Sequence, residues 1–177
     1  MWQRLAVLVG LMLGAVGARA DDVLGEVEVA GHRVPVFALA TVQGDSADAA
    51  VLAAAPVLRA LAEHEGFEGG GMVCQDGAGQ FGVVLQTARS QINMPITTLC
   101  PVGMKPTGES VHSHPARPFV VTNDIDALFS GRGHRAGESV TAEGAFFSPA
   151  DFAAPGYVVT PERVLYQHGR REVRAVH

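Results

Sequence analysis

Two segments of the chain alternate apolar and polar residues, and each is interrupted once by a turn sequence. The first, VLGEVEVAGHRVPVFALATV at residues 23–42, breaks at Gly31 and His32. The second, GGMVCQDGAGQFGVVLQT at residues 70–87, breaks around residues 76–79. Because side chains along a strand alternate between the two faces of a sheet, this pattern predicts two β-hairpins. The chain is therefore predicted to be built around a sheet.

The segments between and after these hairpins predict a few helices and further strands. GDSADAAVLAAAPVLRALAEHEG, at residues 44–66, is rich in alanine and leucine and predicts a helix, in which Pro56 should cause a kink or a break. Further on, the pattern predicts strands at residues 96–100 and 110–114, a short helix within 122–131, a helix start at 148 and two strands within 156–169. This irregular alternation predicts an α/β single domain with a central mixed β-sheet flanked by helices.

The first twenty residues, MWQRLAVLVGLMLGAVGARA, have the pattern of a secretory signal peptide. Arg4 precedes an apolar run at residues 5–16, and Ala18, Arg19 and Ala20 form an A-x-A cleavage sequence. We expect residues 1–20 to be a cleaved signal peptide and residues 21–177 to form one domain; the alternative is an uncleaved N-terminal anchor. The predicted localisation is periplasmic or secreted.

The charge of the predicted mature chain restricts its partners. Removing Arg4 and Arg19 with the signal leaves 157 residues, of which 11 are basic and 18 acidic, for a net charge of −7. An acidic domain is unsuited to binding nucleic acid or an anionic membrane face. No later segment is apolar enough for a membrane span, so we expect neither a nucleic-acid partner nor a span after signal cleavage.

The chain has two cysteines, Cys74 and Cys100. In an exported protein an even pair is most simply a disulfide. Two buried thiols or two soft metal ligands are the alternatives, although neither cysteine has the C-x-x-C spacing of a zinc or redox site.

The stretch GESVHSHPARP, at residues 108–118, places His112 and His114 two positions apart. In a strand these two imidazoles lie on the same face, where they could bind one small cation. Pro115 cannot donate to a strand ladder, so the strand should end there, at the rim of the sheet. A zinc site needs a third protein ligand as well.

A third ligand is available in FFSPADF, at residues 146–152. Ser148, Pro149 and Asp151 match the N-cap, first-turn proline and N3 acid with which a helix begins, and this explanation is complete in itself. The alternative is that the Asp151 carboxylate also turns to a metal.

Together, the sequence HSHP and the later S-x-x-D resemble the motif of the JAMM (MPN+/JAB) zinc metallopeptidases: a glutamate, then H-S/T-H-P, then S-x-x-D. The resemblance implies a JAMM or cytidine-deaminase-like fold, with one Zn²⁺ per chain held by His112, His114 and Asp151. It also implies that Ser148 supports the site and that an upstream glutamate is the general base.

Glu68 is the glutamate that best fits the motif, because it opens a glycine-rich strand. Glu63 and Glu65 lie at the end of the predicted helix, where a solvated position is expected. Glu109 is three residues before His112, so strand alternation turns it to the opposite face. We therefore expect Glu68 to be the general base.

The chain departs from the family pattern between His114 and Ser148, which are 34 residues apart where the family has a short gap. We expect an insertion at about residues 116–146 that folds over or beside the site. It is either a substrate-selecting flap or a sign that the site has drifted. His134, within it, is a candidate gate or additional ligand.

Three functions remain open at this point. The first is an exported zinc hydrolase that cleaves a peptide or isopeptide bond in a protein or peptide substrate, which could include cell-wall peptides. The second is a catalytically inactive metal- or partner-binding domain on the same scaffold. The third is a peptidoglycan-directed amidase or endopeptidase.

Overall fold

The structure, a computed structural model, describes residues 22–130, 133–142, 144–169 and 172–177, so the predicted signal peptide lies outside the described residues. The strands are β1 (Val23–Val29), β2 (His32–Gly44), β3 (Gly70–Gln75), β4 (Phe81–Thr87), β5 (Lys105–Ser113), β6 (Phe119–Val121), β7 (Ser139–Thr141), β8 (Gly156–Val159), β9 (Val164–Gln167) and β10 (Val173–Val176). The helices are α1 (Ala47–Ala60), a π-helical turn (Leu61–Glu65), α2 (Asp124–Phe129) and a 3₁₀ helix (Pro149–Ala153).

One large mixed sheet dominates the domain, as the alternation predicted. Its eight strands follow the order β1-β2-β4-β3-β5-β8-β9-β10, and the remaining strands, β6 and β7, form a separate antiparallel pair. Only β5 and β8 are paired in parallel, whereas the other pairs in the large sheet are antiparallel. The predicted α/β class with a central mixed sheet is therefore confirmed at this level.

Helix α1 begins where the sequence predicts. The Ser46 side chain accepts a hydrogen bond from the Ala49 backbone N–H at 3.1 Å and caps the helix. Of the kink or break predicted at Pro56, the break is absent, because α1 continues through this residue and passes into the π-helical turn. A buried side of the helix made of Val51, Ala54 and Leu58 packs on the sheet, and this packing outweighs the loss of one backbone donor at the proline.

The two faces of the sheet are covered differently. On one face α1 closes the main core, which includes Val73, Val111 and Tyr157. On the other face Phe147 packs with Val158 and Leu165 in a smaller apolar cluster. His112 lies next to Val111 along β5 and pairs with Val158, so it belongs to the second face.

The segment between β4 and β5, residues 88–104, has no helix or strand. The predicted strand at 96–100 is therefore wrong. Thr97 donates a hydrogen bond from Oγ1 to Gln86 Oε1 at 2.9 Å, and Cys100 forms the predicted disulfide with Cys74. The segment is therefore held to the sheet by a side-chain hydrogen bond and a disulfide, and not by strand pairing.

The connection from β5 to β8 includes residues 116–146, where the sequence predicts an insertion. Parallel neighbours need a crossover connection, and here β6, α2, β7 and the 3₁₀ helix supply it. The β6–β7 pair was not foreseen from the sequence, since each strand has three residues. Over the ranges that the structure describes, no helix is long and apolar enough to cross a membrane.

Candidate metal centre

The register between β3 and β5 places Glu68 beside the two histidines. Gly70 pairs with His112, and the antiparallel alignment continues beyond the strand ends. The Ser113 backbone N–H donates to Gly69 O at 2.8 Å, and the Gly69 N–H donates to Ser113 Oγ at 3.0 Å. Glu68 therefore lies across from His114, on the same face of the sheet.

Gly70 allows the close approach of these two strands at the site. A Cβ at this position would lie 3.0 Å from the His112 Cβ, tighter than nearly all real contacts. The glycine-rich sequence around residue 70 thus has a local steric role, because it lets β3 run directly alongside the strand that carries the histidines.

His112 and His114 are held at the end of β5. His112 pairs with Val158 of β8, and the backbone N–H of His114 donates to Val159 O at 3.2 Å. The rings lie with their centroids 4.9 Å apart. Backbone pairing on both sides of β5 therefore fixes the two imidazoles on one face, as the i, i+2 spacing predicted.

Asp151 is brought to this pair by the 3₁₀ helix. The Ser148 backbone N–H donates to Asp151 Oδ2 at 2.6 Å, which is the carboxylate half of a capping box. Gln167 Nε2 donates to Asp151 O at 2.8 Å and ties the helix to β9. The helix start predicted at Ser148 is therefore present, and it orients the carboxylate.

Potential ligand atoms of three residues converge between these elements. His112 Nε2 lies 3.0 Å from His114 Nε2 and 3.2 Å from Asp151 Oδ1. His114 Nε2 lies 3.3 Å from Asp151 Oδ2. His112, His114 and Asp151 form a His/His/Asp cluster that could hold a metal ion. Two imidazole lone pairs at this separation repel each other unless a proton or a metal cation lies between them.

The cluster strongly favours the ionised form of Asp151. Burial acts to raise the pKa of this carboxyl, but hydrogen bonds and positive charge from His112 and His114 outweigh burial and hold the pKa well below its usual range. A carboxylate that stays ionised next to two imidazoles is the charge state required of a metal ligand.

The pKa of Glu68 is shifted in the opposite direction to that of Asp151. The Glu68 side chain is 6% exposed. Its pKa is raised well above the usual value, first by burial and then by the negative charges of Asp151 and Asp126. The Glu68 backbone is fixed on both sides, because its N–H donates to Ser90 O at 2.8 Å and its carbonyl accepts from Thr87 Oγ1 at 2.7 Å. A buried carboxyl of raised pKa holds its proton to a higher pH than an exposed carboxyl does.

A cleft of about 560 Å³ contains the cluster, and both Glu68 and Ser148 line it. Ser110 of β5 lines it as well. The neighbouring Glu109 does not line the cleft, and its carboxylate accepts a hydrogen bond from Tyr166 Oη at 2.7 Å. The five residues of the predicted site thus share one cleft. The roles predicted for Glu68 and Ser148 stay predictions.

Other cleft residues were missed from the sequence. Ile92, Met94 and Ile96 line it from the segment between β4 and β5, which has no helix or strand. Asp126, a buried residue of α2 that does not line the cleft, was also missed. The signal that could have found Asp126 is Asn123 three residues earlier, which repeats the spacing of Ser148 and Asp151.

Comparisons with protein-family models, with curated proteins and with solved structures give no match to this chain. Any functional assignment therefore rests on the chemistry of the cleft.

Proposed function

We propose that the protein is a zinc-dependent hydrolase that cleaves a peptide or isopeptide bond outside the cytoplasm. The observation that carries the proposal is the convergence of two imidazole nitrogens and a carboxylate within 3.0 to 3.3 Å of one another. Zinc–ligand bonds of about 2.0–2.1 Å at tetrahedral angles place neighbouring ligand atoms about 3.3 Å apart. The donor types and their spacing therefore fit zinc.

The number of protein ligands also fits a catalytic zinc site. Three protein ligands, rather than four, are typical of catalytic zinc sites, which keep one position for water or substrate. His112, His114 and Asp151 are the only such group of His, Cys, Asp and Glu within the ranges that the structure describes. When bound, zinc supplies Lewis-acid activation of water and of a substrate carbonyl.

Glu68 is proposed as the general base. It lies across the strand pair from His114, lines the same cleft and has a raised pKa. In the proposed reaction it accepts the proton of the attacking water and returns that proton to the leaving amine. Ser148, which lines the cleft, donates a hydrogen bond from its hydroxyl to the oxygen on which negative charge develops.

Export is part of the same proposal. The Cys74–Cys100 disulfide and the absence of a membrane-crossing helix in the described ranges are compatible with a periplasmic or secreted protein. The likeness of HSHP and S-x-x-D to the JAMM motif supports the hydrolase assignment and a JAMM-like scaffold.

Metal analysis tests the ligand assignment. Elemental analysis of the purified mature protein should find about one equivalent of zinc per chain. The double variant His112→Ala/His114→Ala should lose most of it. The matched control is His64→Ala/His168→Ala, which removes two histidines outside the cluster. Equal zinc in the wild type and the cluster variant contradicts the proposal.

Hydrolysis tests the catalytic assignment. Peptide libraries and purified cell wall are incubated with the zinc-loaded protein, and the products are identified by mass spectrometry. Glu68→Gln should keep its zinc and lose about 100-fold or more in rate, the scale of a general-base loss. Glu63→Gln is the control. Zinc binding without cleavage of any substrate favours a metal-binding domain instead, and release of cell-wall fragments favours a peptidoglycan-directed enzyme.

A further inference from the structure

One wall of the cleft is apolar and comes from the irregular segment at residues 88–104. Ile92, Met94 and Ile96 all line the cleft, and each is partly buried. They are spaced by two along this segment. Asn93 also reaches the cleft. We call Ile92, Met94 and Ile96 the apolar wall.

A second group of apolar residues also lines the cleft. Phe147, Pro149, Ala150 and Ala153 line it from the connection that carries Asp151. Among the described residues that line the cleft there is no lysine or arginine. A side chain that contacts these two groups of apolar residues therefore meets hydrocarbon.

The apolar wall is anchored before and after its three side chains. Ahead of it, Ser90 Oγ and the Gln91 N–H both donate to Asp126 Oδ1 at 2.6 Å. After it come the Thr97–Gln86 hydrogen bond and the disulfide at Cys100.

These anchors replace regular secondary structure, so the wall is formed before a ligand arrives. A preformed apolar surface binds an apolar side chain without the entropic cost of ordering a loop.

From this geometry we infer that the apolar wall is a specificity subsite that selects substrates with a bulky aliphatic or aromatic side chain next to the bond that is cleaved. The inference rests on the proposed function and adds its substrate class. The metal that the His/His/Asp cluster would hold would polarise the reacting carbonyl, while Ile92, Met94 and Ile96 would take the neighbouring side chain. This division between a few polar groups and an apolar lining is usual in small-ligand sites.

The test measures binding and is independent of turnover. N-acetylated amino-acid hydroxamates, which chelate zinc and differ only in the side chain, are titrated calorimetrically into the zinc-loaded protein. The leucine and phenylalanine compounds should bind about tenfold or more tightly than the serine and aspartate compounds, the scale of a few buried methylenes. Met94→Ser and Ile96→Ser should reduce this preference, and Met94→Leu should retain it.

Leu99→Ser is the matched control, because Leu99 is 39% exposed on the same segment and does not line the cleft. It should keep the preference. Zinc content and melting temperature are measured for each variant, so that a misfolded protein is recognised; Met94→Leu keeps the inference testable if the serine variants unfold.

The outcomes separate the subsite from the hydrolase. Equal binding of all hydroxamates overturns the subsite and leaves the zinc site standing. A side-chain preference without hydrolysis of any peptide supports the subsite and counts against the hydrolase. If no hydroxamate binds to zinc-loaded protein, both are overturned.

Discussion

Asp126 and Asp151 occupy the same position in the same local motif, yet they face different surroundings. Each is the third residue of a short helix, and each accepts a hydrogen bond from the backbone N–H of the preceding cap residue. Asn123 N–H donates to Asp126 Oδ2 at 2.8 Å, and Ser148 N–H donates to Asp151 Oδ2 at 2.6 Å. Both helices begin in the way that sequence rules describe.

The difference lies beyond the helices. Asp126 is fully buried, and its other oxygen accepts hydrogen bonds from Ser90 Oγ and Gln91 N. Asp151 lines the cleft, with Oδ1 at 3.2 Å from His112 Nε2. One carboxylate is saturated by donors that fasten α2 to residues 90 and 91. The other keeps lone pairs available beside two imidazoles.

The comparison shows that a capping box specifies a helix start and leaves open what else the acid does. A saturated carboxylate stabilises the fold, whereas one that faces imidazoles can bind a cation. The two aspartates can therefore be separated by experiments that compare metal binding with stability.

Asp151→Asn should have the largest effect on metal binding. The substitution keeps the size of the side chain and removes its charge, so zinc affinity should fall by more than about 100-fold. Loss of a residue that only hydrogen-bonds to a metal ligand costs up to about 100-fold in affinity, and loss of a ligand should cost more. Asp126→Asn should keep about one equivalent of zinc. Competition with a chromogenic chelator measures both. Equal affinities would show that Asp151 is only a cap.

Asp126→Ala should have the largest effect on stability. It leaves the donors of Ser90, Gln91 and Asn123 without their buried acceptor, which should lower the free energy of unfolding by about 3 kcal/mol. For a domain of this size the melting temperature should fall by about 6–12 °C.

Asp124→Ala, which removes an exposed acid from the first turn of the same helix, is the control. It should change stability by less than about 1 kcal/mol. Urea unfolding of the two variants measures the free energy of unfolding. Equal losses of stability in the two variants would contradict the stabilising role of Asp126.

Glu68→Gln should have a smaller effect that depends on pH. Because burial raises the pKa of Glu68 in the folded protein, its contribution to stability is fully present below the pKa of the unfolded chain. That contribution is lost as pH rises toward the folded pKa. Glutamine does not ionise, so the variant should gain stability relative to the wild type as pH increases above about 4.5.

Urea unfolding of chelator-treated protein between about pH 5 and pH 8 measures this difference. Glu63→Gln, at an exposed position in the π-helical turn, controls for the change in composition. A difference between Glu68→Gln and the wild type that stays constant over this range would contradict a raised pKa.

His134→Ala should have the smallest effect. His134 lines the cleft, but its Nδ1 lies 3.2 Å from Glu138 Oε2 in a solvent-accessible pair, and such pairs contribute little to stability. Zinc content should be unchanged, and the melting temperature should stay within about 2 °C of the wild type. Loss of zinc in this variant would instead make His134 a ligand.

Local chemistry explains what the sequence by itself determined. The two hairpins, the same-face spacing of His112 and His114 and the helix start at Ser148 each depend on residues close together in the chain. The cysteine pair was inferred from composition and export, and the structure joins Cys74 to Cys100. These predictions needed only side-chain direction, hydrogen-bonding capacity and redox compartment.

Tertiary structure alone decided which of these pieces meet. Glu68 reaches the histidines through the register that pairs Gly70 with His112, and that register is set by packing between distant strands. Asp126 is buried because α2 folds onto residues 90 and 91, which no local pattern encodes. Residues 96–100 are not a strand and α1 continues through Pro56, because long-range anchoring and core packing outweigh local preference.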